Sequence, residues 1–422
     1  MIIAHLADVH LGAKPYQYEY RKKDILESFS ETVDRLIELR PDLIVVAGDF
    51  FDSPHPGNDT LIHAVKEVKR LVDAGLKLVF TYGEHDYPKT RDRTPVEVLA
   101  EAIGYGVYSP PRLEFRKDSP IVDPFILPMN NITVYLVPFV KASEKTREAI
   151  VKRVLDAFEN DRRSRGGKSI LVAHLGIRTL FPYGSVLDNP GLLPRVDYAA
   201  LGHIHRPYIC IKKCLDDGVT PFAYTGSLEP LRKNEVHEGM DRGFLLVDIG
   251  GDEPVVEKIR LKTIRPQYII DTTPERLISD LRRLLHGNPA GSKKPLVHVS
   301  LTVTREGRLT SRGLVDLINR ASRELDVYLR VEYIAPRGGE PGKDTRLSSS
   351  LDLREIVASI IDPHRRFDQD KRLKAADSLL HLKKALLEGD DEEVDAAIKL
   401  LEAYSPIIMG EEAGWGLERF MG

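Results

Sequence analysis

Short apolar runs rich in Val, Ile, Leu and Phe alternate with stretches in which apolar residues recur every three to four positions, from the first residue to about Leu261. A short run that is apolar throughout reads as a buried strand, and the longer recurrence marks one face of a helix. The pattern predicts strands at Ile2-Ala7, Leu43-Ala47, Leu78-Thr81, Ile132-Val137, Ser169-Ala173, Tyr198-Leu201, Phe222-Thr225 and Phe244-Val247. Helices are predicted between them, among them Lys23-Leu39, His63-Leu71 and Glu144-Phe158, with Pro- and Gly-rich loops at Asp52-Gly57, Pro88-Pro95 and Ser109-Pro128. Such alternation predicts a layered α/β architecture.

A second pattern starts near Thr263. Tyr268-Asp271 reads as a strand, Pro274-Leu285 as a helix, Leu296-Val303 as a period-two strand, Leu314-Leu325 as a helix and Val327-Tyr333 as a strand. Together they predict a small α+β domain. The run Ala335-Ser350 is dense in Gly, Pro, Ser and charge and reads as a linker, beyond which Leu351-Ile361, Leu373-Leu387 and Glu392-Tyr404 read as amphipathic helices. The expected organisation is therefore a first domain over 1-262, a second over 263-336, a linker over 337-350 and a helical tail over 351-422.

Composition sharpens this only in places. With 42% hydrophobic and 30% charged residues in 422, the chain falls among soluble globular proteins of more than one domain. The net charge of -3 hides an asymmetry, since Lys262 to Arg346 carries 16 Lys+Arg against 10 Asp+Glu, and Leu347 to the end 10 against 16. The second domain is thus basic and the tail acidic. No apolar run is long enough to cross a bilayer and no leader pattern is found, so a cytoplasmic location with no membrane partner is expected. Cys210 and Cys214 are the only cysteines, which implies no disulfide framework and leaves the state of the pair open. Few Gln and abundant Arg and Glu point to a thermophile.

The candidate chemistry lies at strand ends. Five apolar strands of the first domain end in metal-ligating residues: Asp8-Val9-His10, Gly48-Asp49, Gly83-Glu84-His85-Asp86, His174 and Gly202-His203-Ile204-His205. Sites in open α/β sheets form outside the carboxyl ends of strands, so these loops are expected to converge. One Asp-x-His or one strand-end His is ordinarily a satisfied loop or core residue; five in order are not. So many carboxylates and imidazoles together, without a cation, would be costly. We expect Asp8, His10 and His205 on a first ion, Glu84, His174 and His203 on a second, and Asp49 as the bridge. Mixed oxygen and imidazole ligation without thiolate favours Mn, Fe or Zn, with two Mn2+ as the expected pair. His85, beside Glu84, is the candidate acid for a leaving oxygen, and Asp86 either orients its loop or is plainly structural.

The series DVH, GDFFD, GEHD, H and GHIH resembles the calcineurin-like metallophosphoesterase pattern over most of the first domain. The DVHLG opening, the GDFFD, the TGS at Thr225-Ser227 and the appended domain and tail resemble the double-strand-break-repair nuclease family called meiotic recombination eleven, which includes bacterial SbcD. This second likeness extends over nearly the whole chain. It implies a layered metallophosphoesterase β-sandwich flanked by helices, an α+β capping domain that binds DNA, and a helical C-terminal tail. It also implies manganese-dependent exonuclease and endonuclease activity on DNA ends, hairpins and single strands. The implied partners are a coiled-coil ATPase of the SMC type, docked on the tail, and a second copy of the chain. The family's matching histidine supports the acid role of His85. One position departs: Glu84 stands where the superfamily usually has Asn.

Arg276, Arg282, Arg283, Arg305, Arg308, Arg312 and Arg320 are candidate phosphate contacts of the basic domain, the alternative being solvated helix faces. Tyr16, Tyr18, Tyr20 and Arg21 follow His10 and are candidates for holding a DNA end, or else pack their loop. Arg165-Gly166-Gly167-Lys168-Ser169 imitates half a phosphate-binding loop but precedes its strand, so no ATP hydrolysis is expected of this chain. Two rival functions remain open: a metallophosphatase on non-DNA phosphoesters, and a DNA-tethering scaffold with a weakened site. The tail, likewise, either docks a partner or packs on its own core.

Overall fold

The computed structural model describes residues 1–88, 93–110, 113–116, 119–129, 132–182, 184–236, 241–287, 293–302, 311–334, 371 and 373–379. In chain order the first strands are β1 (Ile2–Leu6), β2 (Leu43–Ala47), β3 (Leu78–Thr81), β4 (Val107–Tyr108), β5 (Glu114–Arg116), β6 (Ser119–Ile121), β7 (Ile126–Met129) and β8 (Ile132–Val137). They are followed by β9 (Lys168–His174), β10 (Tyr198–Gly202), β11 (Tyr208–Cys210), β12 (Phe222–Tyr224), β13 (Gly243–Asp248) and β14 (Val255–Arg260). The last are β15 (Gln267–Thr272), β16 (Leu296–Thr302) and β17 (Tyr328–Ile334). The helices are α1 (Glu19–Leu39), α2 (Asn58–Asp73), α3 (Pro95–Ile103), α4 (Glu144–Arg165), α5 (Lys212–Asp216), α6 (Lys233–Val236), α7 (Leu277–Gly287) and α8 (Ser311–Glu324).

Two six-stranded sheets, ordered β14-β13-β1-β2-β3-β4 and β11-β12-β10-β9-β8-β7, form the centre of the first compact unit. Strands β1 to β4 run parallel, as do β8, β9, β10 and β12; the remaining pairings are antiparallel. Successive side chains of a strand point to opposite faces, and the first sheet is buried on both. Ile3, Val45, Ala47 and Val79 pack inward with Val134, Leu136, Ile170 and Val172 of the second sheet. Their neighbours Ala4, Leu6, Ile44, Val46 and Phe80 pack outward with Phe29 and Val33 of α1 and Ala64 and Val68 of α2. That two-sided burial is why these strands read as unbroken apolar runs. The result is the layered α/β architecture that the pattern predicts, built as the helix-flanked β-sandwich that the resemblance implies.

The chain divides into two compact units, one comprising Met1–Ile270, Ile278–Val299 and Asp316–Arg330, the other Asp271–Leu277, Ser300–Val315 and Val331–Gly422. β15, β16 and β17 form a three-stranded sheet in that order. Residues 373–379 are helical, while the linker and the rest of the tail expectation lie outside the described residues. The loop expected at Ser109-Pro128 instead holds the β5–β6 hairpin and the edge strand β7. Pro120 and Pro128 made it read as loop, yet proline is tolerated in edge strands. The helix α3 starts at Pro95, with Thr94 and Glu97 forming a capping box. Cys210 and Cys214 are joined as a disulfide between β11 and α5. Among the described residues no helix is long and apolar enough to cross a membrane.

A histidine of the first strand is part of the core. His5 on β1 is fully buried, with Nδ1 2.9 Å from the Tyr198 hydroxyl, and burial pushes its pKa down to about 3 despite a backbone hydrogen bond with Leu201. The folded value lies below the ordinary 6.5, so between those two pH values the unfolded chain binds the extra proton. Stability is therefore expected to fall as pH drops from about 6.5 toward 3, with His5 contributing up to about 1.4 kcal/mol per unit. Urea unfolding across that range checks it: the His5→Gln variant should show a shallower slope, and an equal slope would contradict the assignment.

Candidate metal centre

The parallel strands deliver their carboxyl ends to one edge of the sandwich. Asp8 and His10 follow β1, Asp49 follows β2, Glu84, His85 and Asp86 follow β3, His174 ends β9, and His203 and His205 follow β10. Backbone hydrogen bonds lock the first two loops together, from Asp8 N to Gly48 O at 3.1 Å and from His10 N to Asp49 O at 3.0 Å. The second sheet is tied in by His203 N, which donates to Asp8 Oδ1 at 3.0 Å. Two glycines allow this closeness. A Cβ at Gly83 would sit 2.0 Å from Asp49 Oδ1, and one at Gly48, where φ is +82°, would sit 2.4 Å from His174 Nδ1. Asp8, His10, Asp49 and His203 all have positive φ, at 51°, 50°, 48° and 90°. Backbone strain of about 1–3 kcal/mol each persists where surrounding structure enforces it, commonly at functional sites.

Each histidine is anchored through one ring nitrogen. His10 Nδ1 lies 3.1 Å from Asp52 Oδ1, His205 Nδ1 3.0 Å from Glu235 Oε1, His174 Nδ1 2.9 Å from Ala47 O and His203 Nε2 3.0 Å from Gly184 O. Carbonyls and ionised carboxylates only accept, so each anchored nitrogen is the donor and the other nitrogen of a neutral ring carries a lone pair. The Nε2 atoms of His10 and His205 then face each other at 3.0 Å, with Asp8 Oδ1 3.9 Å from the latter. Two lone pairs at that distance repel unless a cation or proton lies with them. The buried His174 Nε2 has no hydrogen-bond partner, and Asp49 Oδ2 stands 3.3 Å from it and 3.7 Å from His10 Nε2. One carboxylate oxygen thus faces both histidine groups, and the donor set fits two divalent ions.

Electrostatics agree with that fit. Burial would lower the pKa of His174, but the Asp49 and Asp8 carboxylates outweigh it and raise it to about 10. Against the same burial, the surrounding imidazoles hold Asp49 well below the usual carboxylate range. Both effects mark a cluster that attracts positive charge.

The structure brings Asp8, His10 and His205 together as expected, and also Asp8, Asp49 and His174, the ligand atoms in each group lying within 4.8 Å of one another. Glu84 and His203 do not join these groups. They line one open cleft of ≈ 520 Å³ with Asp49 and His205, and the Glu84 side chain is exposed. An anion beside the Asp49 carboxylate gains by turning to water. His203 packs edge-on against His174, with ring centroids 5.3 Å apart.

His85 is 42% exposed, with Nδ1 2.9 Å from the Asp52 carbonyl and its ring centroid 4.8 Å from that of His10. Asp86 is fully buried and accepts from the backbone N–H groups of Phe50, Phe51 and Gly83 at 3.2, 2.8 and 3.0 Å. These bonds tie the loop that carries His85 to the Asp49 loop, in keeping with the loop-orienting role weighed for Asp86. Burial, with the Asp49 charge, pushes its pKa up to about 7. Two anchoring groups escaped the sequence reading. Asp52 is the second acid of GDFFD and was in view, whereas Glu235 lies 30 residues past His205 with no motif around it.

Of the DNA contacts expected near His10, the one at Arg21 is corrected by its burial. Arg21 is fully buried and pairs with Asp24 at 2.6 Å and Glu229 at 2.8 Å, while Arg265 and Lys293 also reach Asp24, at 2.6 and 3.0 Å. Tyr20 stacks between Tyr18 and Tyr328, at centroid distances of 5.2 and 4.0 Å, and Tyr16 lies under the Arg330 guanidinium. Arg21 therefore offers no surface to a phosphate, while the half-buried Tyr16, Tyr18 and Tyr20 pack against their segment. Breaking such a buried network leaves uncompensated charge, so Arg21→Ala is expected to cost about 3–5 kcal/mol. Chemical denaturation measures it; unchanged stability with weakened DNA binding would restore the contact reading. Arg282 and Arg283 pair with Glu324 and Asp280, and Arg276 and Arg320 are exposed. Arg305 and Arg308 lie outside the described residues, and of Arg312 only its place in α8 is described.

Residues 1–207 match the family model of calcineurin-like phosphoesterases. The chain is 31% identical to the DNA double-strand break repair protein Mre11 of Aeropyrum pernix over 94% of this chain and 95% of that protein. The protein of the same name from Saccharolobus solfataricus is 28% identical over 87% of this chain and 92% of its own length. That of Sulfurisphaera tokodaii is 30% identical over 71% and 73%. With its strand-end ligands gathered in this way and its length matched almost throughout, the chain belongs to the Mre11 family and is a metal-dependent phosphodiesterase of the calcineurin-like class.

Proposed function

We propose that this protein is a manganese-dependent DNA nuclease, with exonuclease and endonuclease activity, that processes DNA ends in double-strand-break repair. The observation that carries the reading is the pair of lone-pair nitrogens of His10 and His205, with the Asp49 carboxylate reaching across to His174. Asp8, His10 and His205 would hold one ion, and His174, His203 and Glu84 the other, with Asp49 shared between them. Ions bound there supply Lewis acidity and a nucleophilic water at neutral pH. Mixed oxygen and imidazole donors without sulfur suit manganese. His85 donates a proton to the leaving oxygen from Nε2, the nitrogen opposite its Asp52 anchor. Asp86 holds the loop that carries it.

The sequence organisation supports a phosphodiesterase domain over 1-262, a capping DNA-binding domain over 263-336, a linker over 337-350 and a tail over 351-422 that docks a coiled-coil ATPase. The working form is a homodimer. Linear and circular DNA, incubated with the purified protein and manganese or chelator, test the activity. Cleavage of both with manganese and neither with chelator is expected, and inertness toward DNA with metal bound would refute the reading. Replacing Glu84 by Asn is expected to retain two ions and nuclease activity within a few-fold, because the residue sits exposed at the cleft. Loss of both metal and activity would show the anionic ligand to be required.

A further inference from the structure

Two clefts meet at the metal centre. One, of ≈ 520 Å³, runs past Asp49, Glu84 and Phe181. The other, of ≈ 290 Å³, runs past Gly12, Lys14 and Gln17. They share three lining residues, His85, His205 and Arg232. Two of the three are groups already assigned to the reaction, and the third has no assigned role.

Arg232 is exposed, and among the described residues its side chain has no ion pair or hydrogen bond. By contrast, the exposed Arg70, Arg163 and Arg165 each face a carboxylate. Nor is its backbone loosely placed. Glu235 N donates to Arg232 O at 3.1 Å, Glu235 Oε2 accepts from Leu231 N at 2.9 Å, and Glu235 Oε1 accepts from His205 Nδ1 at 3.0 Å. One buried carboxylate therefore fixes the Arg232 backbone relative to a metal-binding histidine. The walls carry four carboxylates, Asp49, Asp52, Glu84 and Glu235, against Lys14 in the smaller cleft and Arg206 in the larger. A polyanionic strand crossing from one cleft to the other needs a cation where they meet, and guanidinium is suited to two-pronged phosphate binding.

We propose that Arg232 binds a backbone phosphate of the strand threaded between the two clefts, next to the phosphate being cut. This rests on the nuclease reading above and names a substrate contact within it. The test compares wild type, Arg232→Gln, Arg232→Lys and, as a distant control, Arg35→Gln on single-stranded DNA with manganese. Oligonucleotides carrying one neutral methylphosphonate, scanned along the strand, form the second arm. Arg232→Gln is expected to raise KM about tenfold, as for one lost charge-assisted contact, and to lower the salt slope of binding by about one. Arg232→Lys should recover most of the loss. One methylphosphonate position should weaken wild type about as much as Arg232→Gln and weaken that variant no further. Equal KM and equal salt slope in Arg232→Gln and wild type would overturn the proposal while leaving the nuclease reading intact. Wild type that does not cut DNA would overturn both.

Discussion

Replacing Asp49 by Asn is expected to strip at least one ion from the metal centre and lower phosphodiesterase activity by at least about 10³-fold. Loss of a residue that merely supports a ligand costs about 10–100-fold, and Asp49 faces both ion sites directly. Its Oδ2 lies 3.3 Å from His174 Nε2 and 3.7 Å from His10 Nε2, while Oδ1 accepts from His85 N at 2.8 Å. Asparagine preserves the shape and can keep the His85 contact. It removes the negative charge and can turn an amide N–H toward the two ring nitrogens, satisfying them without a cation. Metal analysis of the folded variant decides the matter: fewer than two ions per chain is expected, and two retained ions would remove Asp49 from the shared position.

The His85→Ala variant is expected to keep its metal and lose about 10²–10⁴-fold in turnover on DNA, the usual contribution of a positioned acid. His85 is held by the Asp52 carbonyl, outside the groups that gather Asp8, Asp49, His174 and His205. An acid matters most when the leaving oxygen is basic. A 4-nitrophenyl phosphodiester, whose leaving group needs little protonation, should therefore lose much less activity than DNA does. Metal loss in this variant would instead favour the neighbouring arrangement of His10, Asp52 and His85 as an ion site.

The sequence made the layered fold and most of the candidate ligands that the structure gathers legible for one physical reason. Strands buried on both faces, such as Leu43–Ala47 and Ile132–Val137, are continuous apolar runs with little competing signal. The polar residue at the end of each run stands out against them. What stayed hidden depends on folding across distance. Glu235 reaches His205 from the short helix α6, and the burial of Arg21 follows from Glu229 and from Asp24, which Arg265 and Lys293 also reach. Arg21 and the Tyr16–Tyr20 segment read as basic and aromatic near a crevice, which is also how a buried ion-pair network with stacked rings reads. The hairpin at Glu114–Ile121 was lost because its prolines carry the same signal in a loop as at a sheet edge.

The most direct test of the account is anomalous diffraction at the manganese edge from crystals grown with the metal. Two peaks about 3.5–4 Å apart, one among Asp8, His10 and His205, the other beside His174, with Asp49 touching both, are the predicted result. A single peak elsewhere, or none between these side chains, would contradict it.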